Sequence, residues 1–217
     1  MSCTTPSRVQ IRIHGRGGQG VVSAAEMLSI AAFLEGRYAQ AFPSFGSERM
    51  GAPVMAFCRI SDHPIRSREP VAKPDALIIQ DPTLLNQGSL FEGLQPQGYV
   101  LINSTRSLDE LGVAAYLKRL PEDHVLTLPA TELAVHHVGR PLPNSTLLGG
   151  FAAMTGELRL TSVLEAIRQK FPGKIGEANA AAAQAAYELI SQSIARPPLD
   201  NLSRATTREE KTHVEAD

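Results

Sequence analysis

Four glycines in six residues, Gly15-Arg16-Gly17-Gly18-Gln19-Gly20, follow the apolar run Val9-Gln10-Ile11-Arg12-Ile13 and lead into Val21-Val22-Ser23-Ala24-Ala25-Glu26-Met27-Leu28. The run before the glycines predicts a strand. After them, Val21, Ala24, Ala25, Leu28, Ala31 and Ala32 recur at three- and four-residue steps, which predicts a helix from about residue 18 to residue 34, stopped by Gly36. A strand that turns through glycine into a helix exposes backbone N–H groups at a positive helix end, a place suited to phosphate or carboxylate.

Beyond this unit, β-rich runs alternate with helical patterns, the signature of a layered α/β domain. Strands are expected at residues 9–14, 38–42, 54–60, 76–80, 99–103 and 125–128. Helices are expected at 130–137, 145–154, 162–170 and 176–194, with Asn144 and Thr161 as caps of the second and third. The expected architecture is three-layered, with a mostly parallel sheet and a helical C-terminal part. Ser61-Asp62-His63-Pro64 reads as a tight turn that would bring a return segment at 64–66 back onto the strand at 54–60. Residues 1–8 form an N-terminal extension, 9–195 the α/β domain, and 196–217, poor in apolar residues, a disordered tail.

The chain of 217 residues is 43% hydrophobic and 20% charged with a formal net charge of −1, so it can bury one sizeable core and carries no global basic field. Nucleic acid and anionic membrane are not indicated as principal partners. Cys3 and Cys58 are its two cysteines, too few for a disulfide framework or a cysteine-ligated cluster, and a reducing cytoplasm fits. The N-terminus lacks the pattern of a signal peptide, and no window reaches the ~18 unbroken apolar residues of a membrane span.

Gly15, Gly17 and Gly20 satisfy G-x-G-x-x-G, but a dinucleotide site also needs an acid near the end of the second strand, and Tyr38-Ala39-Gln40-Ala41-Phe42-Pro43 has none. Another anion, a close protein contact, or a turn that is merely tight remain open. The segment Phe42-Pro43-Ser44-Phe45-Gly46-Ser47-Glu48-Arg49-Met50-Gly51-Ala52-Pro53 is too apolar for plain exposure and too polar for a core. Following the second strand, it should lie at the carboxyl edge of the sheet beside the glycine turn. There Arg49 can fork onto a carboxylate or phosphate while Glu48 orients it, or the two form a local surface pair. His14 is expected to be a hydrogen-bonded structural residue. His136 and His137 point about a hundred degrees apart on a helix and cannot share a metal as an i, i+4 pair does. Patterns for nucleophilic hydrolysis, nucleotide-driven phosphoryl transfer and zinc chemistry are absent from the sequence.

Together, Gly15–Val22, Ala41–Val54 and Phe57-Cys58-Arg59-Ile60-Ser61-Asp62-His63-Pro64-Ile65 resemble the gamma subunit of 2-oxoacid:ferredoxin oxidoreductases, the pyruvate enzymes above all. Lys73-Pro74-Asp75-Ala76-Leu77-Ile78-Ile79-Gln80-Asp81-Pro82-Thr83-Leu84-Leu85, Val100-Leu101-Ile102-Asn103-Ser104 and Asn144-Ser145-Thr146-Leu147-Leu148-Gly149-Gly150-Phe151 follow in the same order, so the resemblance spans about residues 9 to 190. Met50 stands where that family has a basic residue.

The resemblance implies a cytoplasmic hetero-oligomer that oxidatively decarboxylates a 2-oxoacid to an acyl-coenzyme A and passes electrons to ferredoxin. Thiamine diphosphate, magnesium and [4Fe-4S] clusters would lie on partner subunits, with coenzyme A as co-substrate, no metal on this chain and no activity by this chain alone. It assigns no catalytic residue here. Gly15, Gly17, Gly18, Gln19 and Gly20 would form an anion-binding or interface turn. Phe42, Ser44, Phe45, Gly46, Glu48, Arg49 and Asn103 would meet substrate, coenzyme A or a neighbouring subunit. The related subunits of indolepyruvate or branched-chain 2-oxoacid enzymes share these features, and a free-standing nucleotide-binding scaffold is the alternative from a different class.

Overall fold

The computed structural model describes residues 8–44, 50–67, 69–87 and 89–195. The strands are β1 Arg8–Arg16, β2 Tyr38–Pro43, β3 Pro53–Ser61, β4 Ala76–Ile79, β5 Tyr99–Asn103 and β6 Val125–Leu128. They form one sheet in the order β2-β3-β1-β4-β5-β6. β1, β4, β5 and β6 run parallel, whereas β3 lies antiparallel to both β1 and β2. The mixed, mostly parallel α/β sheet expected from the sequence is therefore present.

Helices α1 Val21–Leu34, α3 Ala130–Val138, α4 Asn144–Thr155, α5 Leu160–Lys170 and α6 Lys174–Ala195 share a single core. That core takes Val9, Ile11 and Ile13 from β1, and Ala56, Cys58 and Ile60 from β3, every second residue of each strand. The intervening residues face the other way. There a second, smaller cluster packs Leu77, Ile79, Val100 and Ile102 against short turns and the four-residue helix α2 Ala114–Leu117. The sheet is thus layered on both faces, but helices of full length lie on only one.

α4 is buried almost all round, from Asn144 to Ala152 without a break, because it sits between the sheet and α6. Its Gly149 lets the helices approach closely: a Cβ there would come 1.9 Å from the backbone oxygen of Ala183 on α6.

Three local expectations are corrected. The first helix begins at Val21, since Gly18 and Gly20 adopt φ of +95° and +74°, outside the right-handed helical region. Asn144 and Thr161 are not caps: both lie inside helices, which begin after Pro143 and Arg159 with no side-chain cap bond. Residues 64–66 form no strand, because both edges of β3 are already paired, with β1 and β2. The expected tail at 196–217 and residues 1–7 of the extension lie outside the described residues. Among the described residues, no helix is long and apolar enough to cross a membrane.

Candidate functional site

The glycine turn and the start of β3 meet at the carboxyl ends of the parallel strands. Gly17 donates its N–H to Ala52 O at 2.9 Å, and Gly51 donates to Gly17 O at 3.1 Å. The segment that precedes β3 is therefore stitched to the turn by main-chain bonds. Beside this seam lies a cavity of about 480 Å³ lined by Arg16, Gly17, Gly18, Gly20, residues 21–23 of α1, Met50 and Val54.

The amides at this cavity are unevenly committed. Those of Gly17 and Gln19 bond to Ala52 O and Arg16 O, and the amide of Arg16 donates to the Gln19 side-chain oxygen at 2.8 Å. The amides of Gly18, Gly20 and residues 21–23 have no acceptor among the described residues, since the first intrahelical bond is made by Ala24 to Gly20 O. Five amides without an acceptor among the described residues, and the positive end of α1, thus belong to residues that line the cavity. Gly20 must be glycine twice over: its φ is +74°, and a Cβ would lie 2.4 Å from the Asn144 amide nitrogen.

Two residues of the expected turn look inward. Gly15 belongs to β1 and packs against Val21, Gln19 and Gln80. Gln19 spends its amide on Asp81 Oδ2 at 2.9 Å as well as on the Arg16 amide. Arg16, which the sequence reading left unassigned, sends Nε to within 3.2 Å of Asp81 Oδ2. It also donates through Nη2 to Thr83 Oγ1 at 2.7 Å and through Nη1 to Gly51 O at 3.0 Å. Burial alone would raise the Asp81 carboxyl, but bonds from the Thr83 hydroxyl and amide and from Gln19, with the charge of Arg16, hold it below the ordinary carboxylate range. Asp81 and Thr83 belong to a segment that carries the family resemblance, but nothing in the sequence ties them to the glycine turn, because that signal is spatial. They follow β4, which the parallel pairing sets beside β1.

Phe42 packs its ring on Phe57 at 5.1 Å and lies under the Arg59 guanidinium, also at 5.1 Å. Ser44 bonds its N–H to Met55 O at 2.8 Å and continues the β2–β3 pairing. Phe45, Gly46, Glu48 and Arg49 lie outside the described residues. Asn103 is buried at the end of β5, where its amide nitrogen donates to Gln80 O and Thr131 Oγ1, both at 2.8 Å, and its oxygen accepts from the Thr131 N–H at 3.1 Å. All its capacity toward the open edge goes to joining β4, β5 and α3.

On the face away from the helices, Arg12 and Arg59 are buried, and neither has a carboxylate in ion-pair contact among the described residues. Arg12 donates to the main-chain oxygens of Leu90 at 2.6 Å and Glu92 at 3.0 Å, and to His14 Nε2 at 3.0 Å. Arg59 donates to the oxygens of Ser67 and Glu69 and to the Gln10 side chain. Since Nε2 of His14 accepts, the neutral ring carries its proton on Nδ1. Burial, then the charge of Arg12, push the His14 pKa down to about 3. Cys58 is buried, and its thiol is pushed up to about 12, so it cannot act as a thiolate at neutral pH. Among the described residues no three His, Cys, Asp or Glu side chains gather as metal ligands.

The sheet order also bears on the dinucleotide alternative. In that fold the ribose-binding acid ends the strand next to β1, whereas here β3 stands between β1 and β2. The turn has the glycines of a dinucleotide cradle without its neighbouring strand.

Comparison with known proteins finds relatives along most of the chain. Pyruvate synthase subunit PorC of Methanothermobacter marburgensis is 45% identical over 185 residues, covering 85% of this chain and 99% of that protein. The pyruvate/ketoisovalerate oxidoreductases common subunit gamma of Pyrococcus furiosus is 45% identical over 180 residues, 83% of this chain and 96% of its own length. Among solved structures, pyruvate oxidoreductase subunit PORC of Thermotoga maritima superposes with a TM-score of 0.71 at 35% identity, covering 83% of this chain and 96% of that one. The sequence model described as pyruvate ferredoxin/flavodoxin oxidoreductase matches residues 10–189, from the strand before the glycine turn to the last helix, and the chain belongs to that family.

Proposed function

We propose that the chain is the gamma-type subunit of a 2-oxoacid:ferredoxin oxidoreductase with pyruvate as substrate, and that its glycine-turn edge closes the site where catalytic subunits bring 2-oxoacid and coenzyme A together. The observation that carries this is the cavity of about 480 Å³ at the start of α1, with Arg16 and amides that have no acceptor among the described residues on its wall. Those groups suit a phosphate of coenzyme A or a 2-oxoacid carboxylate. Thiamine diphosphate supplies the carbanion chemistry when bound, and iron–sulfur clusters carry electrons to ferredoxin. Two cysteines cannot ligate a four-iron cluster, which needs about four thiolates, so the clusters are assigned to partner subunits, and the family resemblance assigns thiamine diphosphate and magnesium to them as well, in a cytoplasmic complex. The Pyrococcus relative is named as common to pyruvate and ketoisovalerate enzymes. That name supports a subunit whose role does not select the 2-oxoacid.

A second reading makes the same edge purely a subunit interface, favoured by Met50, which is 87% exposed and leans over Gly18. Arg49→Ala in the reconstituted complex separates the two. A ligand role predicts a Michaelis constant for coenzyme A or 2-oxoacid about tenfold or more higher, the scale of one lost charge-assisted hydrogen bond. Unchanged Michaelis constants together with weaker assembly would reject it.

A further inference from the structure

We infer that Arg16, Asp81 and Thr83 form a three-loop latch that positions residues 50–53 over the glycine turn, and that this latch, rather than the turn alone, fixes the shape of the proposed coenzyme A edge. The inference rests on the function proposed above. Three segments remote in sequence meet at one guanidinium. Arg16 leaves the end of β1, Asp81 and Thr83 follow β4, and Gly51 precedes β3. Each nitrogen of Arg16 is used: Nε on Asp81 and Thr83, Nη2 on Thr83 Oγ1, and Nη1 on Gly51 O.

The acceptors are themselves held. Asp81 Oδ1 accepts from the Thr83 N–H at 2.9 Å and from its hydroxyl at 2.5 Å, while Oδ2 accepts from Gln19 Nε2 at 2.9 Å. Since the Thr83 hydroxyl hydrogen points to Asp81, its lone pairs face Arg16, and the order Asp81–Thr83–Arg16 is fixed by donor and acceptor chemistry. The pairing of Gly17 with Gly51 and Ala52 is the part of the seam that the latch spans, through Arg16 Nη1 on Gly51 O. Arg16 also lines the cavity, so its head group is positioned by the same contacts that hold the loop. These are positioning residues, acting through the loop and the turn.

The variant that isolates the latch is Thr83→Val, which keeps shape and the backbone bond to Asp81 but removes the hydroxyl acceptor. Thr83→Ser is the conservative rescue, and Asp81→Asn is a second, independent break. Amide hydrogen exchange on the full chain should speed up about tenfold or more at Gly17 and Gly51 in Thr83→Val and Asp81→Asn, with interior amides of α1 and β1 unchanged and Thr83→Ser close to wild type. In the reconstituted complex, Thr83→Val should raise the KM for coenzyme A at least threefold while kcat holds. Exchange that is unaltered at Gly17 and Gly51, or that rises equally through α1 and β1, overturns the latch. Selective exchange with unaltered KM but weaker assembly keeps the latch and defeats the coenzyme A reading instead.

Discussion

A half-buried imidazole is a pH sensor for the fold even where it does no chemistry. His14 accepts a bond from Arg12 and is held neutral, with its pKa near 3 against an ordinary 6.5. Between those values the unfolded chain binds a proton that the folded chain refuses, so stability rises with pH through that window and falls as the solution is acidified below about 6.5. His14→Gln, which cannot titrate, should flatten the loss of stability between about pH 6 and pH 4, read from denaturant midpoints. An unchanged slope would place the acid sensitivity elsewhere. Asp81 works in the opposite part of the scale: its lowered carboxyl stabilises the fold above the ordinary carboxylate value and loses that contribution only as pH falls through its own. The latch is therefore closed throughout the neutral range.

Elements were far easier to read than contacts. Val9, Ile11 and Ile13 alternate with Gln10, Arg12 and His14, and a two-residue period shows itself in any short window. The six strands fell within a residue or two of their expected ends for this reason. The two caps were misjudged because Asn144 and Thr161 have the right chemistry one or two residues past where the chain turns helical. The return segment at 64–66 failed since sequence cannot tell that β3 has both edges taken. In the same way the glycine turn was visible as a motif, while Arg16, more than sixty positions from Asp81 and Thr83, joins them only through the β1–β4 pairing. The α4–α6 contact yields the prediction at this scale. Gly149→Ala places a methyl against the Ala183 carbonyl, and overpacking of this kind costs about 1–3 kcal/mol or more. For a chain of this size that is roughly 2–12 °C in melting temperature, measured calorimetrically on the full chain. A melting point equal to wild type would mean the two helices have room to part.

For the whole molecule, the sheet order decides between a self-contained nucleotide binder and a component. β3 separates β1 from β2, and β2 ends in Phe42 and Pro43 with no acid, so the ribose contact of a dinucleotide site is missing in position and in chemistry. Titration calorimetry of the full chain with NAD should show no binding at micromolar concentrations. Saturable heat there would revive the free-standing module. The two faces of the sheet, meanwhile, are built to different standards. Long helices share the larger core on one side, while the opposite side is closed by turns that tie down Arg12 and Arg59 through main-chain oxygens. The two sides therefore answer differently to substitution. The helical side holds the shape through a packed core that feels each change of volume, whereas the loop-built side meets the sheet through main-chain oxygens and can change its own side chains with less effect on the shape it hangs from.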